Sequence, residues 1–263
     1  MNAMWALFIL WLFTIAMMTL GWRWQQLHHN AGIVDALWAA GLGGAAVWLA
    51  ITGTGAFWPR VSVAVLGGLW GARLALHLWR RTRHDAEDGR YQYLRAHWQG
   101  NQFKFFLFFQ FQAALIILFA LPFLAVSRNP VTHSGWLIAG VVIWLASVTC
   151  EAIADRQLAR FRANPANSGR TCRDGWWRYS RHPNYFFEWL HWFSYLCLAV
   201  GSPWFWLAAA GPVVMYVFLR WISGIPFTEA QALRSRGDDY RDYQRSTPML
   251  FPWFPKSSSV TRS

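Results

Sequence analysis

Phe105-Phe106-Leu107-Phe108-Phe109-Gln110-Phe111-Gln112-Ala113-Ala114-Leu115-Ile116-Ile117-Leu118-Phe119-Ala120-Leu121-Pro122-Phe123-Leu124-Ala125-Val126 carries no charge and only two amides. A helix needs about 20 apolar residues to cross roughly 30 Å of hydrocarbon. Lipid also requires each backbone polar group to be satisfied within the segment. Six other blocks share this character, at 3–22, 31–52, 61–79, 136–155, 184–201 and 203–222. They predict an all-α polytopic membrane protein of seven transmembrane helices, one integral-membrane domain over 1–263. Composition agrees, since 14% of residues are charged and 55% hydrophobic, against about one quarter charged in soluble domains. The first block is expected to be a retained span, because Met1-Asn2-Ala3 is not basic and Arg23 follows the apolar run.

Charge supplies the orientation. Of 24 Lys and Arg residues, 20 lie in the segments around Arg23, Arg80 to Lys104, Arg156 to Arg181 and Arg234 to Arg262, all on one side. The positive-inside rule puts that side in the cytoplasm, the N-terminus outside and the C-terminus inside. A net charge of +12 does not imply nucleic acid here, since no soluble module is present to carry a basic face. Three cysteines, Cys150, Cys172 and Cys197, form no C-x-x-C pair, so no disulfide framework or zinc site is expected. Adjacent His28 and His29 face different ways on a helix, and no metal is expected there either.

Carboxylates at the ends of spans discriminate best, because a charge in the bilayer is costly and is usually retained for a purpose. Asp35 starts the second span, Glu151 lies near the end of the fifth, and Glu188 is one turn into the sixth, all toward the basic loops. Together they predict a polar cavity opening to the cytoplasm. In the string from Asp174 to Glu188, Pro183 suits a first helical turn, and Asn184 and Glu188 share one helical face at i, i+4. Amide and carboxylate presented together match the hydrogen-bonding pattern of a nicotinamide.

Glu151 and Asp155 repeat the i, i+4 spacing, followed by Arg156, Arg160 and Arg162. Asp155 suits ribose hydroxyls or an adenine amine, and arginines clamp phosphates bidentately. In the tail, where Tyr240 and Tyr243 alternate with arginines, a tyrosine is placed to stack on a purine and Arg245 to meet a phosphate. No G-x-G-x-x-G or P-loop occurs, so helix ends and loops must hold any nucleotide. In the N-terminal half, Asn30, Asp35, Trp38 and Trp70 are candidates for a substrate wall, and Gln110 and Gln112 need partners across helices. Lys256 to Ser263 reads as a disordered end.

The stretch Glu151 to Glu188, with Asp242-Tyr243-Gln244-Arg245-Ser246-Thr247-Pro248-Met249-Leu250-Phe251-Pro252, resembles the steroid 5-alpha-reductase family in its bacterial membrane branch. The resemblance implies a seven-helix reductase of the bacterial inner membrane. Such an enzyme uses NADPH to saturate the C=C bond of a hydrophobic enone, such as a 3-oxo-Δ4 steroid. Substrate would enter the first four spans (1–126), and the cytoplasm-facing half (136–255) would bind the cofactor. By matching motif, Asp155, Arg162 and Arg170 fall on adenosine and phosphate contacts, and Asn184 and Glu188 on the nicotinamide end. Arg181, His182, Tyr243 and Arg245 carry over as further cofactor contacts.

Three positions depart from the family pattern. Members present an acid on the second helix and a tyrosine on the third to polarise the substrate carbonyl. Here Asp35 is the acid, but the third span has Trp70 in that register and no tyrosine. Glu151 stands where some members have an amide, and Ala159 where an arginine is common, which shifts phosphate contacts toward Arg156 and Arg160. Hydride addition to the β-carbon develops charge on the carbonyl oxygen. Asp35 is therefore expected to act as a protonated acid donating to that oxygen, assisted by Asn30, His29 or Trp38.

Two alternatives remain. Arg181-His182-Pro183 also resembles the isoprenylcysteine carboxyl methyltransferases, which use S-adenosylmethionine; that cofactor carries no phosphate, so the arginine density favours NADPH. A lipid-headgroup-binding module is the non-catalytic alternative, and the acidic pairs oppose it.

Overall fold

The computed structural model describes Met1 to Lys256 and contains helices and turns, with no strand among the described residues. The long helices are α1 (Ala3–His28), α2 (Ile33–Thr52), α3 (Phe57–His84), α5 (Gln102–Ser127) and α6 (Ser134–Ala163), with the short α4 (Gly89–His97) before α5. After α6 come α7 (Pro183–Leu198), α8 (Phe205–Ala208), α9 (Ala210–Val217), α10 (Ile225–Arg236) and α11 (Asp238–Ser246). Six segments, Ala3–His28, Ile33–Thr52, Phe57–His84, Gln102–Ser127, Ser134–Ala163 and Phe205–Arg236, are long and apolar enough to cross a membrane. The protein is an integral membrane protein on that ground.

The sixth expected span, 184–201, behaves differently. Helix α7 has 16 residues, about 24 Å at 1.5 Å per residue, and stops at a turn containing Gly201 in the left-handed region at φ +95°. Other ends shift because polar residues still propagate a helix once it leaves lipid. Helix α1 continues to His28, where His29 closes it at φ +51°, and α6 continues to Ala163. Asp155, Arg156, Arg160 and Arg162 therefore sit on helix, not loop. Asn2 and Asn101 start α1 and α5 by accepting the free N–H groups of the first turn. The tail expected from Lys256 to Ser263 lies outside the described residues beyond Lys256.

The chain forms two compact units: Met1–Val141 with Ser194–Gly211, and Val142–Phe193 with the chain from Pro212 onward. In the first, α2 and α3 approach at Gly43 and Gly71. A Cβ on Gly71 would stand 2.5 Å from the Gly43 Cα, so this close helix contact needs residues without side chains. Helices α1 and α5 are joined by the Gln110 amide donating to Thr19 Oγ1 at 3.1 Å and the Trp22 indole donating to Gln102 O at 3.0 Å. The predicted need of Gln110 for a cross-helix partner is thus met at its Nε2, while its buried Oε1 has no hydrogen-bond partner among the described residues.

In the second unit, the Trp177 indole donates to Ala154 O at 2.9 Å, tying the turn before α7 to α6. Residues Phe218–Ile222 form one wide helical turn, with Ser223 N donating to Phe218 O at 2.9 Å. This turn leads into α10 and α11, which pack on Ala232, Tyr240 and Tyr243.

Candidate functional site

Two constellations carry the predicted chemistry, one in each unit. In the first unit Asp88 caps α4, its Oδ1 accepting from Arg90 N at 3.0 Å and Arg90 Nε at 3.1 Å. That cap points the next two side chains at α2: Arg90 Nη2 donates to Asp35 Oδ2 at 3.0 Å, and the Tyr91 hydroxyl donates to Asp35 Oδ1 at 2.6 Å. Both Asp35 oxygens are engaged, so the carboxyl expected to act on substrate directly is instead bound up with Arg90 and Tyr91. The O–H in this cluster belongs to Tyr91.

Tyr91 is 4% exposed. Burial first, and then the Asp35 charge, hold its hydroxyl well above the usual tyrosine value, against the opposing pull of Arg90. For Asp88, burial acts to raise the pKa, but Arg90, the Arg90 backbone N–H and Arg81 outweigh it and leave the carboxyl below its usual value. A second clamp holds the base of α4. Glu87 accepts from Ala31 N at 2.7 Å and from Arg95 Nε and Nη2 at 3.0 and 2.7 Å, joining α4 to the turn that begins α2.

Asp35 lines a small cleft with Asn30, Gly32, Leu78, Arg81, Thr82 and Asp88. The Asn30 amide is already engaged there, donating to Thr82 O and accepting from Gly32 N, both at 3.0 Å. It shapes the cleft wall and is not a free donor for substrate. Trp70 is fully buried, with its ring edge-on to Trp38 at 6.2 Å, and Trp38 in turn meets Phe119 at 5.5 Å. The expected substrate wall is therefore partly core packing.

In the second unit the two i, i+4 pairs meet: Asn184 Nδ2 donates to Asp155 Oδ1 at 3.1 Å. Local chemistry explains the meeting. Gly175 adopts φ +57°, and a Cβ there would stand 2.2 Å from Gln157 Nε2. Gln157 can then lie over the turn and accept from Trp176 N at 3.0 Å, which fixes where α7 starts relative to α6. Arg156, Arg162 and Arg170 are exposed, with Arg156 Nε also donating to Ala152 O at 3.2 Å within its own helix. Glu151 is buried, and Glu188 is half-buried with His191 Nδ1 3.8 Å away. A carboxylate, an amide and exposed guanidiniums form the donor and acceptor set that a phosphorylated dinucleotide requires.

The remaining candidates serve a different purpose. Arg181 donates to Glu229 Oε1 at 2.7 Å, Gln244 O at 3.0 Å and Thr247 O at 2.9 Å. His182 is buried beside the same carboxylate at 3.3 Å. Burial lowers the His182 pKa despite the opposing Glu229 bond, so the neutral ring donates through Nε2. Tyr243 is 1% exposed, and its hydroxyl donates to Trp177 O and Ser180 O. Arginine, histidine and tyrosine thus hold α10, α11 and the tail onto the turn before α7, which corrects Tyr243 as a purine platform. Arg245 is exposed and pairs with Asp242 at 3.1 Å.

Sequence reasoning missed Arg90, Tyr91, Glu87 and Gln157. The available signal for the first three was Asp85, Glu87 and Asp88 clustered inside an otherwise basic loop. For Gln157, nothing in the sequence marks one amide on a helix as the partner of a turn 19 residues away. No group of three or more histidine, cysteine, aspartate or glutamate side chains among the described residues is arranged to hold a metal.

No curated protein and no solved structure matches the chain. A family model described as protein of unknown function DUF1295 matches residues 21–247, a range that takes in both constellations, and the chain belongs to that family.

Proposed function

We propose that this protein is an NADPH-dependent membrane reductase that saturates the C=C bond of a hydrophobic enone such as a 3-oxo-Δ4 steroid. The observation that carries the reading is the Tyr91 hydroxyl on Asp35 at 2.6 Å, with Arg90 on the other carboxylate oxygen. The family that the chain resembles presents an acid and a tyrosine to the substrate carbonyl; the third span here has no tyrosine, and Tyr91 of α4 beside Asp35 supports the same pairing. Methylation of a carboxylate by S-adenosylmethionine needs no proton donor, so the same pair weighs against the methyltransferase alternative.

NADPH supplies the hydride when bound, and Asp155, Arg156, Arg162 and Arg170 would hold its adenosine and phosphates, with Asn184 and Glu188 at the nicotinamide end. Tyr91 would donate to the carbonyl oxygen as hydride reaches the β-carbon, stabilising the enolate before the α-carbon is protonated. Asp35, fixed by Arg90, would hold the Tyr91 hydroxyl in place until its single O–H turns from the carboxylate to the carbonyl oxygen. We infer seven crossings, α7 being a short sixth, with the N-terminus outside and the cofactor site facing the cytoplasm of a bacterial inner membrane.

The test is purification in detergent, mass spectrometry of the co-purifying nucleotide and assay of enone-dependent NADPH oxidation. Recovery of NADP(H) with enone turnover is expected. Recovery of S-adenosylmethionine, or no binding of either nucleotide by calorimetry, would overturn the reading.

A further inference from the structure

The tail from Thr247 to Lys256 has no helix, yet it is firmly held. Arg181 N donates to Pro248 O at 2.9 Å, Ser180 Oγ to Leu250 O at 2.8 Å, Trp253 N to Tyr179 O at 2.9 Å and Lys256 N to Ser246 O at 2.8 Å. Leu250 is buried, and the Phe251 ring stands against Trp189 of α7 at 5.5 Å and Tyr216 of α9 at 6.3 Å. The next two rings are far more open: Trp253 is 71% exposed, and Phe254, edge-on to Tyr179 at 5.8 Å, is 73% exposed.

Three observations identify what covers them. First, the patch continues an exposed apolar face of the last crossing. Tyr216 lies edge-on to Trp221 at 5.5 Å, and Trp221, Ile222 and Val213 are themselves exposed large apolar residues on a segment apolar enough to span a bilayer. Second, cations stand near the patch. Arg220 lies over the Trp221 ring at 5.6 Å, Lys256 and Arg178 are exposed, and Thr247 to Lys256 contains no acid. Third, Pro252 and Pro255 bracket the two rings and stiffen the backbone that presents them. Tryptophan and phenylalanine beside arginine and lysine is the composition that settles at the boundary between headgroups and acyl chains.

We propose that Trp253 and Phe254 form an interfacial anchor, inserted into the headgroup layer of the bilayer that the Phe205–Arg236 segment is long enough to cross. The anchor acts on the turn that positions α7. The tail's backbone bonds end on Tyr179, Ser180 and Arg181, so insertion holds the segment immediately ahead of Asn184 at a fixed depth. This proposal does not depend on the identity of the cofactor or substrate.

The test uses the full chain in vesicles of phosphatidylethanolamine and phosphatidylglycerol, with p-benzoylphenylalanine replacing Phe254 and, in a second protein, Trp253. Both side chains are exposed, so the backbone bonds of the tail are retained in each. The same probe at Asp238, whose side chain is 89% exposed at the start of α11, is the reference. After irradiation, intact-mass measurement is expected to give phospholipid adducts at positions 253 and 254 several-fold above the level at 238. Adducts no more abundant than at 238 would overturn the proposal. A covalent dimer as the main product would also overturn it, by identifying a second copy of the chain as the cover.

Discussion

Replacing Tyr91 by phenylalanine isolates one oxygen. The ring keeps its contact with Phe108 at 6.1 Å and with the Arg90 guanidinium at 5.3 Å, so packing is preserved and only the 2.6 Å bond to Asp35 is lost. Hydrogen bonds to charged partners are worth about 1.5–3 kcal/mol. Asp35 retains Arg90 and is 32% exposed, so water can replace the missing donor, and the stability loss should fall at or below the bottom of that range. The rate should respond far more. A positioned acid contributes about 10²–10⁴-fold, which is about 3–5 kcal/mol of barrier at 1.36 kcal/mol per tenfold. The assay is single-turnover loss of NADPH absorbance with a saturating enone, alongside a thermal melt of the same preparation. A Tyr91→Phe protein that oxidises NADPH at the wild-type rate would refute the reasoning, as would a rate loss no larger than its unfolded fraction accounts for. The pH profile gives a second check. Burial and Asp35 push the Tyr91 hydroxyl upward, so wild-type turnover should not fall from loss of this proton until the pH is well above the ordinary tyrosine value of 10.0.

Other perturbations have defined outcomes. Asn184→Asp places a second carboxylate where the amide now lies 3.1 Å from Asp155; the KM for NADPH should rise roughly tenfold, about 1.4 kcal/mol, while an unchanged KM would remove this contact from the cofactor site. Gly175→Ala forces φ +57° on a residue with a Cβ and drives that atom into Gln157; a loss of about 1–3 kcal/mol in stability is expected, with weaker nucleotide binding, and an unshifted melting temperature would contradict it. The Asp88 carboxyl lies below its usual 3.8 in the folded state. Its contribution is therefore full above the unfolded value and lost as pH falls through the folded one, so melting temperature should drop from about pH 5 downward and Asp88→Asn should flatten that drop.

Much of the architecture was legible in the chain because lipid imposes one severe rule, internal satisfaction of every backbone polar group, and apolar blocks of fixed length report it directly. Five of the seven predicted blocks lie largely within single long helices, and the last continues through α8, α9 and the wide turn at Phe218–Ile222. The end of α7 was legible to within three residues, because the predicted block stops at 201, where Gly201-Ser202-Pro203 interrupts the apolar run. The i, i+4 pairs around Asp155 and Asn184 were also readable, since helical periodicity alone puts each pair on one face. Their meeting at 3.1 Å depended on Gly175 and Gln157, a contact between a turn and a helix that no local pattern encodes.

The same division separates Asp35 from Tyr91. Asp35 stands out in sequence because a carboxylate at the edge of a bilayer is costly, so its presence calls for a reason. Tyr91 does not, since a tyrosine in a polar loop carries no such cost; it gains significance only where the Asp88 cap and the Glu87 clamp turn α4 toward α2. For Tyr243 the inference ran the other way: an alternation of aromatics and arginines looked like a ligand surface, and folding buried the ring and used its hydroxyl on two backbone carbonyls. Solvation cost is a property of one residue in its segment and can be read along the chain. Which donor meets which acceptor is a property of residues far apart in sequence, and only the folded chain decides it.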